Sequence, residues 1–166
     1  MNRLILLRHG EAERQSASGA DFDRRLAPAG VRETAAMGET LADLGLCPDV
    51  VLVSTAARTR DTWAALSSAF PDAEVRFEDE LYHADTPTVR RLAEAARPSG
   101  VVMVVGHNPG LQDLAVRLLS EGSAAPSLID RCRSGFPTAS AAVFLVDDHG
   151  RHNYDGLFFP RDRRDR

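Results

Sequence analysis

The chain has 166 residues, a length that suits one domain with a sizeable buried core. Its 43% hydrophobic and 27% charged residues exclude a disordered or fibrous class. A formal net charge of −4 argues against a nucleic-acid partner, and no apolar run reaches the roughly 18 residues of a membrane helix.

The predicted elements alternate along the chain. Residues 3–7 are short, continuous and apolar, which predicts a fully buried strand. That strand runs directly into Arg8, His9 and Gly10, with no signal-peptide pattern around it, so a cytoplasmic location is expected. Residues 16–27 are small and polar and read as a loop. A helix is expected from Pro28, with Val31, Ala35, Leu41 and Leu44 on its apolar face and Gly45 as its stop. Residues 49–54 form a second buried strand. Ser54 and Thr55 are candidate caps for a helix that continues to about Phe70. A short strand over 73–78 follows. The next helix starts at Thr86-Pro87 and stops at Pro98. Residues 101–106 are a further buried strand, and Asn108 is the candidate cap of the helix after it. Residues 121–138 are rich in Ser, Pro and Gly and read as a loop. A strand over 140–146, a turn at 147–150 and an antiparallel edge strand complete the pattern. Residues 161–166 are a charged tail after a domain spanning 1–160.

Strands alternating with helices predict an α/β fold: a three-layer helix-sheet-helix sandwich on a mostly parallel sheet, with an antiparallel edge strand. Ligands of such folds bind beyond the carboxyl ends of the strands. Arg8, His9 and Gly10 follow the first strand, Arg58 lies one turn into the helix after the second, and His107 follows the strand over 101–106. All 20 basic residues are Arg, so an arginine by itself carries little information and only its position counts. At these positions the residue types suit a phosphoryl group. Arginine offers planar paired donors for phosphate oxygens, a helix N-terminus adds backbone N–H groups, and imidazole is a nucleophile toward phosphorus. Gly10 is expected to let the chain turn without blocking the site.

Other residues read as ordinary. His149 and His152 flank a turn and are expected at the surface. Glu78, Asp79 and Glu80 read as a solvated charge run. Cys47 and Cys132 lack the spacing of a redox or zinc pair. No His or Cys spacing of the usual metal-binding kind occurs, and two arginines beside His9 would repel a divalent cation; no metal and no other cofactor are expected.

The segment LILLRHGE resembles the signature of the histidine phosphatase superfamily, also called phosphoglycerate mutase-like. Three further segments are similar to that family's in the same order. They are Asp21-x-x-Arg24-x-Leu26-x-x-x-Gly30, Ser54-x-x-x-Arg58-x-x-x-Thr62, and Gly106-His107-Asn108-Pro109. The last looks like the small phosphohistidine phosphatase (SixA-type) branch. The resemblance implies that His9 is the nucleophile and is transiently phosphorylated. It implies that Arg8, Arg58 and His107 complete the phosphate pocket. Gly10 and Arg24 would also contact substrate, with residues 13–25 lining the rim. It implies no metal, and a phosphorylated protein or small phosphorylated molecule as partner.

The chain departs from the family where many members carry a glutamate general acid two residues after a leucine. That position, two past Leu81, is His83. Glu80 precedes the leucine. Glu80, His83 and Asp85 are all candidate acids. An absent acid suits a leaving group that departs easily, such as the imidazole of phosphohistidine. The alternatives are a broad small-molecule phosphomonoesterase and a phosphate-binding module without turnover.

Overall fold

The computed structural model describes residues 1–96 and 100–160. The expected Pro98 stop and the tail 161–166 lie outside the described residues. Six strands form one sheet: β1 (Arg3–Arg8), β2 (Val50–Ser54), β3 (Glu74–Glu78), β4 (Val101–Gly106), β5 (Ala141–Val146) and β6 (His152–Phe158). Their order is β3-β2-β4-β1-β5-β6. β3, β2, β4 and β1 are mutually parallel, β5 runs antiparallel to β1, and β6 returns antiparallel to β5 at the edge.

The sheet is apolar on both faces because helices cover both. Ile5, Leu7, Val51, Val53, Met103 and Val105 point into one core, which α1 (Pro28–Asp43) and α2 (Ala57–Leu66) close. Leu4, Leu6, Val50, Leu52, Val102 and Val104 point into the other, beneath α3 (Thr86–Ala95), α4 (Gly110–Glu121) and α5 (Pro126–Ser134). Alternate residues on one strand thus serve opposite layers, which explains why the strands read as continuous apolar runs. Among the described residues no helix is long and apolar enough to cross a membrane.

Several local expectations are corrected. Residues 121–138 are not all loop, because α5 occupies 126–134. Pro126 sits in its first turn, where a missing N–H costs nothing, and Cys132 seats it in the core. The buried face of α1 is Gly30, Thr34, Met37, Gly38 and Leu41, whereas Val31 and Leu44 are exposed. Small residues there let α1 lie close to the turn after β1, where Gly30 meets Glu11, and to α2, where Gly38 meets Leu66. Gly45 does end that helix region, at φ +74°. His152 is buried against Phe144, with ring centroids 6.5 Å apart, while His149 is exposed. The side chain at the first position of an edge strand points inward here, and local turn signals carry no information about that.

Candidate active site

The register of the sheet builds the floor of the site. Arg8 pairs with Gly106 across β1 and β4, so the next residues, His9 and His107, leave adjacent strands side by side. Their ring centroids lie 5.3 Å apart, close to the spacing of about 4.8 Å between neighbouring strands. Ser54 ends β2 one residue beyond the Val53–Val105 pair. It therefore falls beside the same row, and its Oγ lies 2.7 Å from His107 Nε2. The expected capping role for Ser54 is thus corrected, since α2 has no side-chain cap. Asn108 does not cap α4 either. Its Nδ2 donates to the Phe136 carbonyl at 3.0 Å.

His9 is buried, and its Nδ1 lies 2.7 Å from the Gly10 carbonyl. A carbonyl only accepts, so Nδ1 carries the proton and Nε2 keeps its lone pair. Burial pushes His9 down to about 4, against the pull of the Gly10 bond, and the charges of Arg8, Arg58 and Arg24 add to the depression. The ring is neutral at pH 7. His107 is pushed down to about 3 by burial, with His9, Arg58 and His83 adding.

Gly10 is small for a reason other than the expected turn. A Cβ there would sit 2.5 Å from Thr34 Oγ1 and 2.7 Å from the Gly30 carbonyl oxygen. The residue lets α1 approach, and its N–H donates to Thr62 Oγ1 at 3.1 Å. Thr62 in turn donates to the Arg58 carbonyl, which ties the turn after His9 to α2.

The two floor arginines are held from different sides. Arg8 Nη1 donates to the Phe136 carbonyl at 3.1 Å, and burial followed by the charge of Arg58 lowers its pKa. Arg58 is buried on the first turn of α2. Its Nη1 donates to the Asp21 carbonyl at 3.0 Å and its Nη2 to Asp21 Oδ2 at 3.1 Å. Buried nitrogens Arg8 Nε, Arg58 Nε and His107 Nδ1 have no hydrogen-bond partner among the described residues. Unpartnered buried N–H groups are costly, and two guanidinium N–H groups beside one neutral imidazole suit an anion. Arg60 behaves differently: it is exposed, donates to the Thr55 carbonyl and stacks on Phe77 at 4.4 Å.

The rim brings together residues far apart in sequence. Asp21 Oδ2 also accepts from the Tyr82 hydroxyl at 2.6 Å, and Oδ1 accepts from Arg24 Nε at 2.9 Å. Tyr82, with Arg24 and Arg58, holds the Asp21 carboxyl well below the usual carboxylate range. Arg24 also donates to the Glu13 carbonyl at 2.9 Å. Arg25 turns away and pairs with Asp61. Asp21, Tyr82 and Phe136 were not singled out from sequence. Asp21 stood only as a letter of the loop motif, and nothing local marked the other two.

The candidate acids separate. Glu80 is exposed and paired with Arg91 of α3. Asp85 caps α3, its Oδ1 accepting from Thr88 N at 3.0 Å. His83 stands at the mouth beside Tyr82, lining a hollow of about 400 Å³ with His107 and Asn108.

Fold and floor together define an α/β protein with two histidines and two arginines gathered at the carboxyl ends of β1, β2 and β4. The profile of the histidine phosphatase superfamily (branch 1) matches residues 4–95. An uncharacterized protein of Mycobacterium tuberculosis, Rv1276c, is 36% identical over 131 residues, covering 78% of this chain and 81% of its own. A solved structure provisionally designated phosphohistidine phosphatase SixA, from Agrobacterium tumefaciens, is 33% identical with a TM-score of 0.84, covering 96% of this chain and 98% of that one. A second, from Nakamurella multipartitia and provisionally given the same designation, is 30% identical with a TM-score of 0.83, covering 97% of each chain. The chain belongs to the histidine phosphatase superfamily, on its SixA-like branch, and is a phosphatase of that class.

Proposed function

We propose that residues 1–160 act as one metal-independent catalytic domain in the cytoplasm, hydrolysing phosphohistidine on a protein through a phosphorylated His9. In this reading the lone pair of His9 Nε2 attacks phosphorus. The P–N bond to the substrate imidazole breaks, its electron pair stays on the leaving nitrogen, and that nitrogen takes a proton from solvent water. Water then attacks phospho-His9, releasing phosphate and restoring the neutral ring. Arg8 and Arg58 neutralise the equatorial oxygens as charge shifts during transfer, and the uncharged His107 contributes a hydrogen bond from Nδ1–H while Nε2 accepts from Ser54 Oγ. Gly10 and Arg24 border the bound phosphoryl group.

The observation that carries this reading is the set of partnerless buried nitrogens, Arg8 Nε, Arg58 Nε and His107 Nδ1, around a histidine whose free nitrogen is Nε2. The choice of a P–N substrate is supported by the carboxylates near the mouth. Glu80 and Asp85 are both engaged on α3, so neither is poised to protonate a poor leaving group. It is supported too by the two neighbours at 33% and 30% identity that carry the phosphohistidine phosphatase designation. The second reading, a general phosphomonoesterase, rests on His83, which lines the hollow next to His107. The test is a leaving-group series from a phosphohistidine peptide through p-nitrophenyl phosphate to sugar phosphates. The proposal expects steep dependence on leaving-group pKa. A flat series in the wild type that becomes steep in His83→Ala would favour the phosphomonoesterase.

A further inference from the structure

We propose that Tyr82, flanked by Phe22 and His83, is the leaving-group wall of this site and selects substrates whose phosphoryl group departs from a planar ring. This rests on the phosphohistidine reading above. Three observations lead to it.

The Tyr82 ring is held in place. Its hydroxyl is committed to Asp21 at 2.6 Å, so the polar end is spoken for and the ring has little freedom. Phe22 meets it edge-on at 5.0 Å, and His83 lies against it with centroids 3.9 Å apart. Phe22 is 37% exposed, an apolar ring left at the mouth of a cationic pocket with no core to join. His83 holds φ at +59°, a left-handed conformation that a residue with a Cβ rarely adopts, so the chain maintains this turn against its local preference.

The wall also continues the floor. Successive ring centroids run from His9 to His107 at 5.3 Å and from His107 to Tyr82 at 5.7 Å. An in-line displacement sends the leaving group away from the attacking nitrogen, here outward from the buried floor to the mouth. The Tyr82 wall stands on that side, next to His107, and beyond it His83 and His107 line a hollow of about 400 Å³. A hollow of that size accepts an imidazole and the chain that carries it.

Finally, the chemistry on offer is that of flat π surfaces. On the wall itself a sugar would need free donors and acceptors, and the Tyr82 hydroxyl is used by Asp21. A planar heterocycle needs only faces and edges, which three rings provide.

The experiment compares two P–N substrates, 3-phosphohistidine and phosphoramidate, which differ in that only the first leaves as a ring. The readout is the ratio of their kcat/KM values, so losses common to both substrates cancel. In Tyr82→Leu the ratio is expected to fall by about 5–10-fold, the size of one aromatic pair. Tyr82→Phe keeps the ring and is expected to hold the ratio within about 2-fold while slowing both substrates alike, through the lost hydrogen bond to Asp21. Should Tyr82→Leu fail to fold, His83→Gly removes a flanking ring at a backbone angle that glycine favours. It is expected to lower the ratio by about 3-fold. An unchanged ratio in the folded variant, with both substrates still hydrolysed, overturns the wall and leaves the phosphohistidine reading standing. A wild type that hydrolyses sugar phosphates but neither P–N compound overturns both.

Discussion

The floor and the rim of this pocket are built on opposite plans. The floor is Arg8, His9, Arg58 and His107, with His9 and Arg58 buried and the other two half-buried, and three of its buried nitrogens lack any partner among the described residues. The rim is Asp21, Arg24 and Tyr82, more exposed and tied into a network, with Asp21 alone accepting from Tyr82, Arg24 and Arg58. The floor leaves part of its bonding capacity unused. The rim uses much of its own capacity to aim one floor residue, Arg58. Substitutions in the floor should therefore remove chemistry, and substitutions in the rim should loosen geometry.

The largest contrast is expected at the nucleophile. His9→Ala should lower turnover by roughly 10³-fold or more while leaving thermal unfolding near wild type, and rapid acid-free quench of the wild type should trap phosphate on His9. Near-normal turnover in the variant would move the nucleophile elsewhere. Next comes Arg58→Lys, which keeps charge and loses the planar fork; kcat/KM should fall by about 10²-fold. Arg60→Lys, two residues along on the outer side of α2, should change it by less than about 2-fold, within the range of surface substitutions. Equal effects would mean that the α2 side of the pocket is misassigned.

Acid should act on the floor before the rim. His9 and His107 are held neutral, at about 4 and about 3, against an unfolded value of 6.5. Below pH 6.5 the unfolded chain takes up protons that the folded one refuses, so stability is full above that pH and falls as pH drops toward 4. At pH 5 the loss is about 2 kcal/mol for each ring, seen as a falling denaturant midpoint. Asp21, whose folded pKa is depressed, adds its own loss only below the ordinary carboxylate range. Flat stability between pH 7 and 5 would show that the rings are hydrated rather than buried.

Rim substitutions should cost less. Asp21→Ala removes the carboxylate that accepts from Arg58, Arg24 and Tyr82, but leaves its backbone carbonyl to Arg58 Nη1. A fall in kcat/KM of about 10-fold is expected, mainly through KM, as one charge-assisted bond is worth. A 10³-fold fall would make Asp21 part of the chemistry and erase the distinction. The smallest expected effect is that of EDTA, which should leave phosphohistidine turnover unchanged because arginines supply the charge a metal would otherwise supply.

Much of the floor was legible in the sequence. Three short apolar runs ended in chemistry-bearing residues, and in parallel sheets such ends gather on one edge by topology alone. The residue types at those ends, Arg8-His9-Gly10, Arg58 and His107, already suited a phosphoryl group. The α/β alternation and the antiparallel edge strand were legible for the same reason, since helix and strand periods differ. The rim was not legible. Tyr82 lies 61 residues from Asp21, and their 2.6 Å bond depends on how the turn after β3 falls across the loop after β1. The α5 helix was hidden because Pro and Ser mark helix starts as well as loops, and only its contact with the core chooses between them. His152 was hidden because a turn-flanking position does not say which face of the edge strand is covered. Gly10 was noticed for its freedom of backbone, yet its role is the absence of a side chain against α1. The sequence by itself determined which strands are buried and which residues stand at their ends, because those follow from local period and composition. Tertiary structure alone decided register, the partners of each floor arginine and the aromatic mouth, because they are set by contacts between segments that no local pattern relates.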